Sequence, residues 1–382
     1  MATSALLIST VPRWIGTARI PERLVKAGFS VSLLTPKNTL AEASRFVSAV
    51  RHLPDAATTL QWLNAFTAAV DAFAPQLVIS CDDTAQRLLQ TLVLTPPPGM
   101  HSTVHLRLAS LIRESIGDPK HYRTSIDKTL LAAAAQKLGI RVPPFVTAAE
   151  PWEAEAFAAK NNFDVVLKRS FGAAGDRVAI VNTREAFLEA FGRLSAKADL
   201  NLEGTGVRIL VQAHIPGRIR HHTIAAYDGT LVAGVSREKV VAHPEPTGPA
   251  TVTRYVHVPE MREASEKIVR AFGMTGLFAI EFVADEKTGA CYLLEINRRV
   301  TPGTHAAALV GVDLAAAFYA AFHGQTVTTR TELEPGENRT FVHFPQEWLR
   351  DSGSRYLREY PADAPWDDPK LFAAMLALRE RD

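Results

Sequence analysis

Short apolar runs alternating with stretches of helical periodicity open the chain. Residues 5–9 form one such run. A loop then reaches Gly16, apolar positions recur at helical spacing to about Ala27, and Gly28 stops the helix before a second run at residues 31–34. Residues 77–80 repeat the strand pattern and lead through Cys81, Asp82, Asp83 and Thr84 into another helical stretch. Strand, helix and strand in this order predict a small doubly wound α/β unit over roughly the first hundred residues, interrupted by the proline run 96–98 and Gly99.

The pattern changes at Ser125, which is placed to cap a helix running through Leu138, with Gly139 as its stop and Pro143 and Pro144 beyond. Residues 164–168 and 178–181 read as strands on either side of a glycine-bearing loop, and residues 185–195 as a helix. Runs at 208–212, 223–226, 231–235, 277–283 and 291–297 follow, joined by hairpin-length turns. The second half therefore predicts an α+β, largely antiparallel arrangement. Thr304 is expected to cap an alanine-rich helix to about Phe322, followed by a strand near Phe341 and a last helix near Leu371. No internal repeat is present.

Length and composition narrow the class. At 382 residues the chain exceeds what one core usually supports, so two or three packed units are expected. Apolar residues make up 47% and charged residues 21%, the composition of an ordered globular protein. A formal net charge of +2 gives no reason to expect nucleic acid or an anionic membrane as partner. No stretch reaches the roughly 18–20 apolar residues of a membrane span, and the first apolar run is too short for a signal peptide. Cys81 and Cys291 lie far apart in apolar runs, which argues against a disulfide framework or zinc site and fits a reducing cytoplasm.

The most informative segment is LFAIEFVADEKTGACYLLEINRR at 277–299, a hairpin turning at residues 285–289. Alternation puts Leu277, Ala279, Glu281 and Val283 on one face, and Cys291, Leu293, Glu295 and Asn297 on one face of the return strand. With the odd positions in register, Glu281 and Glu295 come within about 5–8 Å at Cβ. Like charges so close destabilise each other unless one is protonated or a cation lies between them. Asn297 adds a neutral oxygen, and an all-oxygen set suits Mg²⁺. The plainer alternative is a solvated sheet face.

Lys168 ends an apolar strand and precedes Arg169, Ser170, Phe171, Gly172, Ala173, Ala174 and Gly175. Small residues let backbone N–H groups approach a phosphate, and a lysine at the strand end supplies charge. No Gly-Lys-Ser/Thr follows, so this is not a Walker loop, and an ordinary glycine-bearing turn would share the composition. Lys128 stands in the first turn of a helix, where the helix dipole disfavours a cation and a bound anion would remove the penalty, a solvated lysine being the plainer alternative.

Together, Ser125 to Lys128 with the Gly139 exit, Lys168 with its glycine loop, ILVQAHIPG at 209–217, and Glu281 with Glu295, Asn297 and Arg299 resemble the ATP-grasp superfamily in order and spacing. The run REKVVAHPEPTGPATVTR at 237–254 and the hairpin exit RVTPGTH resemble its carboxylate-amine ligases. The resemblance covers residues 1 to about 324. It implies an ATP-grasp fold of mixed α/β and α+β class. A Rossmann-like domain would occupy 1–115, a helix and lid subdomain 116–207, a central antiparallel metal- and nucleotide-binding subdomain 208–325, and a C-terminal extension 326–382.

The resemblance also implies site residues. Lys128 and Lys168 would bind ATP phosphates, with Ser170, Gly172, Ala173 and Gly175 in the cradling loop, which would act as a lid. Gln212, Ala213, His214 and Ile215 would form the hinge that reads adenine. Glu281, Glu295 and Asn297 would hold Mg²⁺, Arg299 would steady the transferring phosphoryl group and Lys239 would touch the γ-phosphate. Arg298 stands where a proline is common and would add positive charge near the substrate. Thr304 and His305, at a helix start, would meet a substrate carboxylate, a helix cap and a solvated histidine being the alternative.

The hinge departs from the family pattern at Gln212-Ala213, and a ribose-binding glutamate after Pro216-Gly217 is missing. The chemistry implied is ATP-dependent activation of a small-molecule carboxylate as an acyl phosphate and its transfer to an amine, in a cytoplasmic protein with a homodimer as default assembly. A phosphotransferase on the same scaffold and a non-catalytic nucleotide-binding module stay open as alternatives. A nicotinamide-dependent dehydrogenase lacks its Gly-x-Gly-x-x-Gly signature.

Overall fold

The computed structural model describes residues 2–170, 178–196, 208–245 and 248–378. Strands β1 (Thr3–Ile8), β2 (Phe29–Thr35), β3 (Ala49–His52) and β4 (Leu77–Ser80) form a parallel sheet in the order β3-β2-β1-β4. Helix α1 (Ile15–Ala27) joins the first two and ends where Gly28 takes φ +115°. Helices α2 (Thr59–Phe73), α3 (Asp83–Leu94) and α4 (Ser102–Ile116) complete this unit. Neither α2 nor α4 is anticipated by the sequence reading. The apolar runs of β1 and β4 are buried nearly throughout, as a parallel sheet covered on both faces requires.

The expected single helix from Ser125 is two. Helix α5 (Tyr122–Ile126) ends at Asp127, which starts α6 (Lys128–Lys137) by accepting from Thr129 N and Leu130 N at 2.9 and 3.3 Å. Ser125 is not the cap: its hydroxyl donates to the Tyr122 carbonyl. A small antiparallel sheet then runs β5-β8-β6-β7, from β5 (Phe145–Ala148), β6 (Val165–Arg169), β7 (Val178–Val181) and β8 (Ile209–Ala213). Helices α7 (Pro151–Lys160) and α8 (Arg184–Ala196) pack against it around Phe187, Phe191 and Leu194. Since β8 pairs with both β5 and β6, this unit extends to Ala213, beyond the boundary read at 207.

The central sheet has six strands in the order β13-β12-β9-β10-β11-β14: β9 (Gly217–Tyr227), β10 (Thr230–Ala242), β11 (Ala250–Val256), β12 (Gly276–Asp285), β13 (Cys291–Asn297) and β14 (Asn338–Val342). One face carries Ile224, Ala226, Phe278, Ile280 and Phe282 against helix α9 (Pro259–Ala271) and Leu131 and Ala135 of α6. So α6 belongs with this sheet, although the sequence reading grouped it with the lid. The other face carries Ala225, Val235, Tyr255 and Leu277, which join one core with the first parallel sheet. Residues after 325 are no appendage: β14 is an edge strand, and Leu371 and Met375 of the last helix pack into that shared core.

The alanine-rich segment is also broken. Helix α10 (Pro302–Ala306) follows Thr301, and α11 (Leu314–Phe322) is capped separately by Asp313. The chain bends by 99° between them. Among the described residues no single helix is long and apolar enough to cross a membrane.

A buried polar knot ties these pieces together. One Asp363 carboxylate oxygen lies 2.9 Å from His305 Nε2 and 3.0 Å from His343 Nδ1, and Arg19 of α1 donates to the Asp363 carbonyl. Burial pushes His305 down to about 4 and His222 of β9 down to about 3. Both rings therefore fold neutral. An unfolded chain takes up protons on them as pH falls below about 6.5, so stability declines from there towards pH 4. Unfolding free energies from urea titrations between pH 7 and 5 should fall by about 1.4 kcal/mol per pH unit for each histidine below its unfolded pKa. His222→Gln should flatten that slope, and an unchanged slope would contradict a neutral buried ring.

Candidate active site

The hairpin β12–β13 pairs Glu281 with Glu295 and Ala279 with Asn297, so both carboxylates stand directly opposite on one face. A β-bulge interrupts the register just beyond Glu281, and Phe282 then pairs with Leu293. The bulge changes one expectation. Cys291 and Leu293 lie in the core against α9 together with Ile296, not on the face of Glu295 and Asn297. An extra residue in one strand re-aims every side chain beyond it. Here it keeps the apolar positions buried and leaves the polar ones on the opposite face.

Registers across the sheet line up Glu295, Glu281, His221, Arg237 and Tyr255 in one transverse row over five strands. His221 Nε2 lies 2.8 Å from Glu281 Oε2. Burial pushes this histidine down to about 4, so the neutral ring donates its Nε2–H to an ionised carboxylate. Burial alone would raise Glu281; His221, then Lys239 and Lys168, overcome that and hold it at about 2. Glu295 pairs with Lys128, Nζ to Oε2 3.0 Å. The repulsion between the glutamates is thus relieved by partners inside the protein.

The lysines converge from three elements. Lys128 opens α6, and its N–H donates to the Ser170 carbonyl at 2.9 Å, which fastens the helix start to the end of β6. Lys168 on β6 is buried and forms no ion pair among the described residues. Burial lowers its pKa, opposed by Glu295 and Glu281. Lys239 on β10 donates to the Gly248 carbonyl at 3.0 Å, and burial lowers it as well. With Arg237, four cations face two carboxylates. Buried charge of one sign without a counterion is costly, so the face is built for an anion.

Arg299, just past β13, donates from Nε to Asp83 Oδ2 at 2.9 Å and from Nη2 to Asn297 Oδ1 at 3.3 Å. Its guanidinium lies 5.0 Å over the Trp14 ring. It is therefore clamped between the first parallel-sheet unit and the end of β13. Arg298 does not join it. Side-chain alternation turns Arg298 the other way, where it is buried over Phe278 and donates to the Ile116 carbonyl.

The anticipated substrate contacts of α10 are internal. Thr304 Oγ1 accepts from Thr301 N at 3.0 Å, and His305 is buried on Asp363 rather than solvated. Thr301, not Thr304, precedes the helix, which has only five residues. Along the hinge, Gln212 is buried with both amide atoms lacking a partner among the described residues. The N–H groups of Ala213 and His214 donate to the carbonyls of Pro144 and Asp164, and Ile215 is half-buried. The Ser170 hydroxyl donates to the Arg208 carbonyl. Gly172, Ala173 and Gly175, and with them the lid expected after Lys168, lie outside the described residues.

His221, Arg237 and Asp83 escaped the sequence reading. His221 and Arg237 share odd numbering with Glu281 and Lys239, but only the strand register reveals that they share a row. Asp83 comes from a different unit altogether.

Comparison with known proteins fits this geometry. The family described as "ATP-grasp in the biosynthetic pathway with Ter operon" matches residues 207–341, which hold β8 to β13, most of β14 and both glutamates. The biotin carboxylase of Campylobacter jejuni, solved as a complex with β,γ-ATP, superposes with a TM-score of 0.68 over 89% of this chain and 75% of that one, at 15% identity.

This is an ATP-grasp fold.

An L-amino acid ligase from Bacillus licheniformis shares the ATP-grasp architecture, with TM-score 0.62 and 16% identity over 88% of this chain and 80% of the other. The carbamoyl phosphate synthase large chain of Sulfurisphaera tokodaii is 27% identical over 184 residues, 47% of this chain and 17% of that protein. The chain thus spans about a sixth of the length of that curated relative. Within this ATP-grasp fold the start of α6 is the joint between the four-stranded sheet β5-β8-β6-β7 and the central sheet. Asp127→Ala should cost about 1 kcal/mol through loss of the cap, read as a lower urea midpoint, while Asp127→Asn, which caps equally well, should restore it. Equal stability of the alanine variant would show that Asp127 does not hold Lys128 in place.

Proposed function

We propose that this chain is an ATP- and Mg²⁺-dependent ligase that activates a carboxylate as an acyl phosphate and transfers the acyl group to an amine, releasing ADP and phosphate. The observation that carries the reading is the surplus of positive charge, from buried Lys128 and Lys168 and half-buried Lys239, around Glu281 and Glu295 on adjacent strands. A polyphosphate answers the lysines. The glutamates then need a cation of their own.

Glu281, Glu295 and Asn297 fit magnesium: they are oxygen donors on one face, and Glu281 stays ionised throughout the physiological range. When bound, the ion would neutralise negative charge that develops during transfer. The chain's own residues do the rest. Lys128 and Lys168 reach the phosphates from the joint between the two sheets, and Lys239 approaches from β10. Arg299, fixed by Asp83 and Trp14, steadies the carboxylate as it attacks the γ-phosphate. An acyl phosphate hydrolyses readily, so water must be excluded before the amine arrives. The glycine-bearing segment after Ser170 is the element proposed to close over it. The hinge at Gln212, Ala213, His214 and Ile215 is proposed to seat the adenine, with the unpartnered Gln212 amide as one polar contact.

Amino acids and small carboxylates, offered with an amine, ATP and Mg²⁺, should include a combination that releases ADP and yields a product whose mass is that of the acid plus the amine less water. Glu295→Gln should lower that turnover at least a hundredfold while leaving the thermal transition within a few degrees. A phosphorylated product without an amide, or full activity in Glu295→Gln, would overturn the reading.

A further inference from the structure

Arg237 is the cation of this face that the nucleotide does not account for. It stands on β10, two strands beyond Glu281 in the transverse row, so its backbone is about 10 Å from that of Glu281. The side chain is 5% exposed. Its Nε reaches Thr223 Oγ1 only at 3.5 Å, and among the described residues no carboxylate lies within 4 Å of the guanidinium. Three other arginines have a carboxylate close by: Arg299 has Asp83, Arg220 has Glu238, and Arg19 lies 3.9 Å from Asp363; buried Arg298 has none among the described residues but donates to the Ile116 carbonyl and lies over Phe278.

The surroundings add a second orphan. Tyr255, directly opposite Arg237 on β11, is wholly buried, and its hydroxyl has no partner among the described residues. Gly303, at the start of α10, presses on the guanidinium so closely that a Cβ there would sit 2.3 Å from Nε and 3.0 Å from Thr223 Oγ1. A buried guanidinium and a buried phenol, both short of acceptors and both held in place, form the donor half of an oxyanion site. Arg299, past the end of β13 and three strands from β10, is tied to Asp83 and Trp14.

We propose that Arg237, with Thr223 and the Tyr255 hydroxyl, binds an oxyanion of the acid substrate, a carboxylate or phosphate group distinct from the carboxylate that reacts. The substrate class is then an acid carrying a second anionic group. This rests on the ligase reading for its chemistry, but the anion site itself is testable apart from it.

The test is calorimetric titration of inorganic phosphate, succinate and acetate into the protein saturated with MgADP, compared among wild type, Arg237→Met, Arg237→Lys and Gly303→Ala. Wild type should bind phosphate or succinate more tightly than acetate. Arg237→Met should weaken that binding at least tenfold and Arg237→Lys less, with MgADP affinity within about twofold throughout. Gly303→Ala, which keeps every charge but displaces the guanidinium, should resemble Arg237→Met. Loss confined to succinate assigns the site to a carboxylate, and loss confined to phosphate assigns it to a phosphate group. In anion-free buffer Arg237→Met should melt no lower than wild type, because it removes an uncompensated buried charge. A lower melting temperature, an equal loss of MgADP affinity, or no binding of phosphate or succinate by wild type would each overturn the proposal. Failure of wild type to bind MgADP would instead defeat the nucleotide reading, and the phosphate titration without nucleotide would still decide the role of Arg237.

Discussion

Excess positive charge on one face of the central sheet is the constraint on which the rest depends. Among the described residues Lys168 and Arg237 are buried without a carboxylate of their own, Lys128 and Lys239 crowd the same space, and two glutamates cannot balance all four. Such a face is unfavourable by itself, since removing charges from water costs several kcal/mol each unless an ion of opposite sign follows them. It is sustained by apolar packing on the other side of the same sheet, where Phe278, Ile280 and Phe282 lie against α9. Stability and reactivity are thus divided between the two faces of the same strands.

The joints between units serve that face. Asp127 sets the start of α6, and the Ser170 carbonyl holds the Lys128 N–H, so the small antiparallel sheet and the central sheet meet at a lysine. Arg299 joins the central sheet to the parallel sheet through Asp83. Asp363 binds α1, α10 and the end of β14 in one buried cluster, and the turn it secures lies against Arg237. Each unit therefore contributes to the site and is fixed by a polar contact close to it.

Much of this was legible in the residues. The odd-numbered alternation in the late hairpin placed Glu281 opposite Glu295, and the helix stop at Gly28 and the strands at 77–80 and 291–297 follow from pattern alone. What was missed was non-local. The bulge beyond Glu281 leaves no mark in a two-residue alternation, so Leu293 was assigned to the wrong face. Thr304 and Ser125 have the chemistry of helix caps, but Thr301, Asp127 and Asp313 hold those positions. Arg298 reads as a site cation until the strand's alternation turns it inward beside its neighbour Arg299. His221 and Arg237 acquire meaning only from cross-strand register.

A structure of the protein crystallised with a non-hydrolysable ATP analogue and Mg²⁺ tests the central claim most directly. The account predicts metal density shared by Glu281 and Glu295, and phosphate oxygens within hydrogen-bonding distance of Lys128 and Lys168. A nucleotide bound elsewhere, or one whose phosphates leave those lysines without an anionic partner, would contradict it.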